Sequence, residues 1–203
     1  MENIVNRVKQ IILQPKATWE IIKTEDTSAA NILTSYILPL AFIPAIASLI
    51  GLGLIGFNTG IFGRAASLEW GISQAITTFA SAFIGVIISA WVIFQLAPKF
   101  GATLTMNNAV KLVAYGYTPS LVAGVFYLIP SLTLLVIIGG IYSLYVLYIG
   151  FQPMTNVSED QHMTYFLVSI VAIIVVYAVL TFVLGVALTT FGLANYQSSN
   201  LFQ

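Results

Sequence analysis

Cysteine is absent from the chain, histidine occurs once, and Asp, Glu, Lys and Arg together make up only 7% of the 203 residues. The first absence excludes disulfides, thiolate metal sites and cysteine nucleophiles. The scarcity of charge excludes more, because soluble domains carry about 25% charged residues to keep their surface in water. A formal net charge of zero leaves no basic stripe to displace phosphate counterions, so nucleic acid is not an expected partner. No apolar core of a secretory signal opens the chain, since the first long apolar run begins near Ile32, behind a charged stretch. What remains is apolar: 59% of residues are hydrophobic and the mean hydropathy is +0.96. Such a chain is stable where lipid replaces water. The expected fold class is an all-α integral membrane protein.

A helix needs roughly 20 mostly apolar residues to cross about 30 Å of hydrocarbon. Five runs meet this, at about 31–57, 70–97, 108–128, 132–151 and 163–193. Asp26, Thr27 and Ser28 supply caps before the first run, and Asn58-Thr59-Gly60 ends it. Ile129-Pro130-Ser131 is so short a connection that the third and fourth runs form an antiparallel hairpin. Lys111, in the first turns of the third run, is placed to snorkel to the headgroups. The fifth run exceeds the minimum and must tilt or project.

Basic residues set the orientation. Arg7, Lys9, Lys16 and Lys23 precede the first run, Lys99 and Lys111 flank the second-to-third connection, and Arg64 alone lies in the first loop. With the N-terminus in the cytoplasm, six basic residues lie inside and one outside, as the positive-inside bias requires. Residues 1–28 then form a cytoplasmic amphipathic segment and residues 29–203 the transmembrane domain, with Gln203 outside. In that segment Ile4, Val5, Val8, Ile11 and Ile12 recur at helical spacing opposite Arg7, Lys9 and Gln14, and Pro15 breaks the pattern. Two placements are open: an interfacial helix on the cytoplasmic leaflet, with Trp19 as anchor and Arg7, Lys9 and Lys16 on anionic headgroups, or a helix docked on the bundle.

Several constellations could carry function. Pro39 and Pro44 interrupt the first run and Tyr115-Gly116-Tyr117-Thr118-Pro119 the third, freeing carbonyls at membrane depth. They mark either a packing kink or the wall of a midplane cavity. Ser73, Thr77, Ser81, Gly85 and Ser89, four residues apart, form a small-residue stripe suited to close helix packing or a polar pathway. Tyr142, Tyr145 and Tyr148 recur every three residues and read as internal packing with hydroxyl partners, a ligand face or an aromatic belt. Ser158-Glu159-Asp160-Gln161-His162 has the spacing of a capping box as well as the residue types of a metal or acid–base site. No ionisable residue lies in the middle of any run, which argues against proton-coupled transport. No catalytic or metal motif stands out, no cofactor is expected, and the chain is read as non-enzymatic.

Three segments carry a family resemblance. Ile11-Ile12-Leu13-Gln14-Pro15-Lys16-Ala17-Thr18-Trp19-Glu20 resembles the L-x-x-P-x-x-x-W pattern that opens prokaryotic members of the Yip family, the Ypt/Rab-GTPase-interacting proteins. Ala114 to Pro119 is similar to that family's third span, and Ile141 to Gly150 to its fourth. The resemblance implies five spans, a cytoplasmic N-terminus, no enzymatic activity and, for a short prokaryotic-type member, a bacterial inner membrane. The D-L-[YW]-G-P motif that precedes the first span of eukaryotic members is missing here. The family label therefore conveys architecture more than GTPase binding. The leading expectation is a protein that organises the bilayer or membrane-protein partners, possible as a homo-oligomer. The alternative is a small transporter, channel or lipid scramblase with a cavity between the Pro-broken first and third spans.

Overall fold

Three of the long helices begin at a hydroxyl that accepts a backbone N–H three residues on: Ser28 Oγ from Asn31 (3.3 Å), Ser67 Oγ from Trp70 (3.3 Å) and Thr105 Oγ1 from Asn108 (3.2 Å). In the computed structural model, which describes residues 3–58 and 64–190, two short helices, α1 (Ile4–Leu13) and α2 (Pro15–Thr24), precede five long ones. The long ones are α3 (Ala29–Ile55), α4 (Leu68–Phe100), α5 (Met106–Leu128), α6 (Pro130–Thr155) and α7 (Glu159–Thr190). Among the described residues these are the helices long and apolar enough to cross a membrane, and the architecture is an all-α membrane bundle. A two-residue antiparallel ladder, β1 (Phe57–Asn58) with β2 (Arg64–Ala65), closes the loop between α3 and α4. The expected Thr59-Gly60 stop, the end of the fifth run at 191–193 and the C-terminal tail lie outside the described residues.

α3, α4 and α5 start two residues before their apolar runs because the hydroxyl caps, not hydrophobicity, set where the backbone first turns. α7 opens at Glu159, where the Ser158 carbonyl accepts from the Gln161 and His162 amides at 3.1 and 3.0 Å. α6 runs past Phe151, through Pro153, to Asn156, whose left-handed backbone (φ 50°) directs its amide to the Gln152 carbonyl.

The proline breaks are satisfied locally. In α3 a π turn over Leu33–Ile37 widens the helix just before Pro39, and a second over Gly51–Ile55 ends it at Gly56. In α5 the Ser120 amide leaves its own helix and donates to Ser143 Oγ of α6 at 2.8 Å, while Thr118 Oγ1 donates to the Ala114 carbonyl at 3.2 Å. Around this kink α5 is buried on all sides, with every residue from Ala109 to Gly116 in the interior. It packs on α3, α4 and α6; α7 is peripheral and leans chiefly on α4.

The N-terminal pair docks on the bundle. Ile11, Trp19 and Ile22 have no exposed surface. Trp19 Nε1 donates to the Val146 carbonyl at 2.9 Å, and Tyr142 Oη donates to the Ile12 carbonyl at 2.6 Å. Trp19 has no surface left to anchor in headgroups: its ring is consumed in protein packing and lies in the hollow that Gly150 leaves. Arg7 departs from the headgroup role in the same way. It is 6% exposed and ion-paired with Glu25. Lys9 and Lys16 remain exposed on the outer side of the pair.

Candidate functional site

Two clefts flank the kink of α5, and the Tyr-Gly-Tyr segment divides between them. The first, about 600 Å³, is bounded by α1, the loop before α3, the first turns of α3, and Tyr115. Arg7 and Glu25 form an ion pair on its wall, and the Arg7 guanidinium sits 5.8 Å from the centre of the Tyr115 ring. Tyr115 in turn packs on Tyr36 with centroids 4.8 Å apart, and the Tyr36 hydroxyl is 2.8 Å from Thr118 Oγ1. Asn3, Thr27, Asn31 and Ser35 complete the polar lining. Lys111, expected to snorkel, is 4% exposed and donates its ammonium to the Glu25 carbonyl. The charge cluster is thus knit from α1, the segment after α2, and α5. Holding it in register requires the hairpin to be docked.

The second cleft, about 320 Å³, lies within the bundle on the opposite face of α5, among α5, α6 and α7, with Ser89 from α4. Its wall is apolar apart from Ser89, Ser120, Ser143, Tyr117 and Tyr177. The Tyr117 and Tyr177 rings stand 6.2 Å apart. Ser89 Oγ is fully buried without a hydrogen-bond partner, and so is Ser169 Oγ. Gly85 lies against Tyr177, and Ile93 accepts from Tyr165 Oη at 2.5 Å, so the antiparallel register of α4 and α7 sets Ser89 and Ser169 at the same level.

Other residues singled out from the sequence fall as follows. Pro44 is buried and touches Gly124, where an added Cβ would lie 2.4 Å from Pro44 Cβ; Pro39 is exposed. Likewise, a Cβ on Gly51 would lie 1.9 Å from the Tyr127 carbonyl oxygen. The expected cavity between the Pro-broken spans is therefore closed at these levels, because small residues let α3 and α5 come into direct contact. Space between them opens at Tyr36 and Tyr115. In the stripe of α4, Ser73 and Ser89 are buried, Gly85 abuts Tyr177, Thr77 Oγ1 donates back to the Ser73 carbonyl at 2.9 Å, and Ser81 Oγ is buried without a partner. Tyr145 is half exposed beside Tyr142. His162 stacks on Tyr148 with centroids 4.8 Å apart, and among the described residues no three His, Asp or Glu side chains converge.

The sequence reading missed Glu25, Tyr36 and Asn31 as cleft residues, and Gly140 and Tyr177 in the second. Glu25 follows an amphipathic helix in a run of polar residues and carries no motif, so only the folded chain reveals its pairing.

Comparison with known proteins fits this architecture. The chain is 25% identical over 166 residues to the inner membrane protein YohC of Escherichia coli strain K12, covering 79% of this chain and 85% of the relative, and matches YohC of E. coli O6:H1 equally. No solved structure matches. The model of the Yip1 domain matches residues 9–182, from within α1 to within α7, and the chain belongs to the Yip1-domain family.

Proposed function

We propose that this is a non-enzymatic protein of a bacterial inner membrane that shapes or organises the cytoplasmic leaflet through the α1–α2 hairpin. The N-terminus is cytoplasmic in this reading, supported by the six-to-one bias of basic residues. Inner-membrane residence is supported by the similarity to YohC. The observation that carries the reading is the fixed seat of the hairpin. Its tip is tied to α6 through the Ile12 carbonyl, while Leu13 is 73% exposed at that tip. In this reading Tyr142, which holds the tip, lies 13 residues or about 20 Å along α6 from its cytoplasmic end at Thr155, which sets the exposed Leu13 below the headgroups. Val5 and Ile21 are exposed along the flanks, with Lys9, Lys16 and Lys23 beside them to reach anionic headgroups. A rigid wedge in one leaflet expands that leaflet only.

Reconstitution into vesicles containing anionic lipid tests this. The wild type narrows the vesicles as protein density rises, seen by electron cryomicroscopy. Leu13→Asp and the Lys9→Glu/Lys16→Glu pair should blunt the effect, and unchanged vesicle radii with wild-type protein would remove the proposal.

The second cleft favours one further reading, passage of a lipid chain or small solute beside Tyr117. Gly140 lines it with open space around its Cα. Gly140→Phe, whose Cβ would meet no neighbour within 4 Å, should therefore block flux or lipid flip, whereas no flux in the wild type would dismiss conduction.

A further inference from the structure

We propose that the first cleft binds the zwitterionic phosphoethanolamine group, with the phosphate toward Arg7 and the primary ammonium toward Glu25. The proposal is separate from membrane shaping: the cleft is read by ligand class and the wedge by vesicle radius, so each can fail alone.

The chemistry of the wall selects the ligand. Arg7 is held 6% exposed and pressed on the Tyr115 ring, so its charge is fixed in place and poorly solvated. Such a cation favours an anion that can accept several hydrogen bonds, as phosphate does. The first turn of α1 adds to this, since Asn3 and Ile4 border the cleft and the helix N-terminus carries partial positive charge. A purely anionic ligand is disfavoured, because the Glu25 carboxylate lies on the same wall with its side chain 28% exposed. The cleft wall thus presents a cation and an anion paired with each other. A ligand of matched opposite charges can exchange with that pair and leave neither charge unanswered, which a ligand of one sign cannot do. A quaternary ammonium cannot donate a hydrogen bond to Glu25, which separates ethanolamine from choline, and glycerol phosphate carries no cation at all. At about 600 Å³ the volume exceeds the headgroup's need, and exposed Asn3 and Ser35 mark the rim. The group can arrive on a phospholipid of the surrounding leaflet or as the free soluble compound.

Native mass spectrometry of the full chain in detergent tests the site, titrating phosphatidylethanolamine, phosphatidylcholine and phosphatidylglycerol of matched acyl chains. The wild type should retain phosphatidylethanolamine at least about tenfold better than either other lipid, the factor one well-made polar contact supplies. Ser35→Trp fills the rim from an exposed position. It should abolish the preference while leaving the unfolding temperature in lipid-free detergent unchanged. Glu25→Gln should shift the preference toward phosphatidylglycerol, a reversal that loss of structure alone does not produce. Displacement of the bound lipid by soluble phosphoethanolamine assigns the free compound as ligand; no displacement assigns the lipid. Equal retention of the three lipids by the wild type, or an undiminished preference in Ser35→Trp, overturns the proposal.

Discussion

The indole ring of Trp19 occupies the space that a side chain on Gly150 would need: a Cβ built there would lie 2.2 Å from Trp19 Cε2. These two residues, 131 positions apart, decide whether the N-terminal hairpin is part of the bundle. Gly150→Val should expel the ring. The expected cost is about 1–3 kcal/mol, as for other overpacked contacts. Limited trypsin digestion of membranes should then cut at Lys9, Lys16 and Lys23 far faster than in wild type, with α3 to α7 intact.

Trp19→Phe separates packing from hydrogen bonding. It keeps most of the apolar contact but removes the donor to the Val146 carbonyl, at a cost of about 1 kcal/mol. Trp19→Ala loses both and should cost about 3–5 kcal/mol. Chemical denaturation in detergent, followed at the remaining tryptophans, checks the order.

The Arg7–Glu25 pair should respond unequally to its two halves. Glu25→Gln takes the paired anion from a guanidinium that is almost wholly buried, so about 3 kcal/mol is expected, the lower end for breaking a buried pair. Arg7→Met leaves Glu25, which already reaches water, and should cost about 1 kcal/mol or less. Equal losses in thermal unfolding would contradict this assignment of burial.

Ser143→Ala removes the acceptor of the Ser120 amide at the kink of α5. The amide is half-buried, so leaving it without a partner should cost about 1 kcal/mol, the lower end for an unmet donor. Amide exchange at Ser120 should accelerate selectively, while the amides of α7 keep their protection.

Much of this was legible beforehand, for reasons that differ by element. Five helices could be read because lipid requires each crossing to be long and uncharged, a constraint written in every residue of 31–57 or 132–151. The seat of α1 and α2 could not be read. Ile4, Val8 and Ile11 describe a helix with one apolar face, and a bilayer and a protein groove demand the same face. Arg7 and Trp19 looked like interfacial residues because their partners, Glu25 and Gly150, carry no pattern of their own. Lys111 misled similarly: a lysine in the first turn of a span has a headgroup in reach by default, and only the path of the segment after α2 brings the Glu25 carbonyl closer. The proline breaks were visible, but their remedies were not. A π turn before Pro39 and a hydroxyl from α6 at Ser120 depend on neighbours that sequence spacing does not locate.

Because the chain has no native cysteine, single-cysteine probes need no altered background. The orientation can be read directly in intact cells or spheroplasts. Asn156→Cys, between α6 and α7, should be shielded from a membrane-impermeant maleimide, while Ser131→Cys, in the exposed first turn of α6, should be labelled. The reverse pattern would invert the topology.

The most direct test of the account is the depth of the hairpin tip. With a nitroxide on Leu13→Cys in lipid nanodiscs, collision with oxygen should exceed collision with a water-soluble nickel chelate, and a label on Lys23→Cys should show the opposite ratio. That result places the tip within the cytoplasmic leaflet. A Leu13 label that collides with the nickel chelate as freely as Lys23 would put the hairpin in water and contradict the wedge.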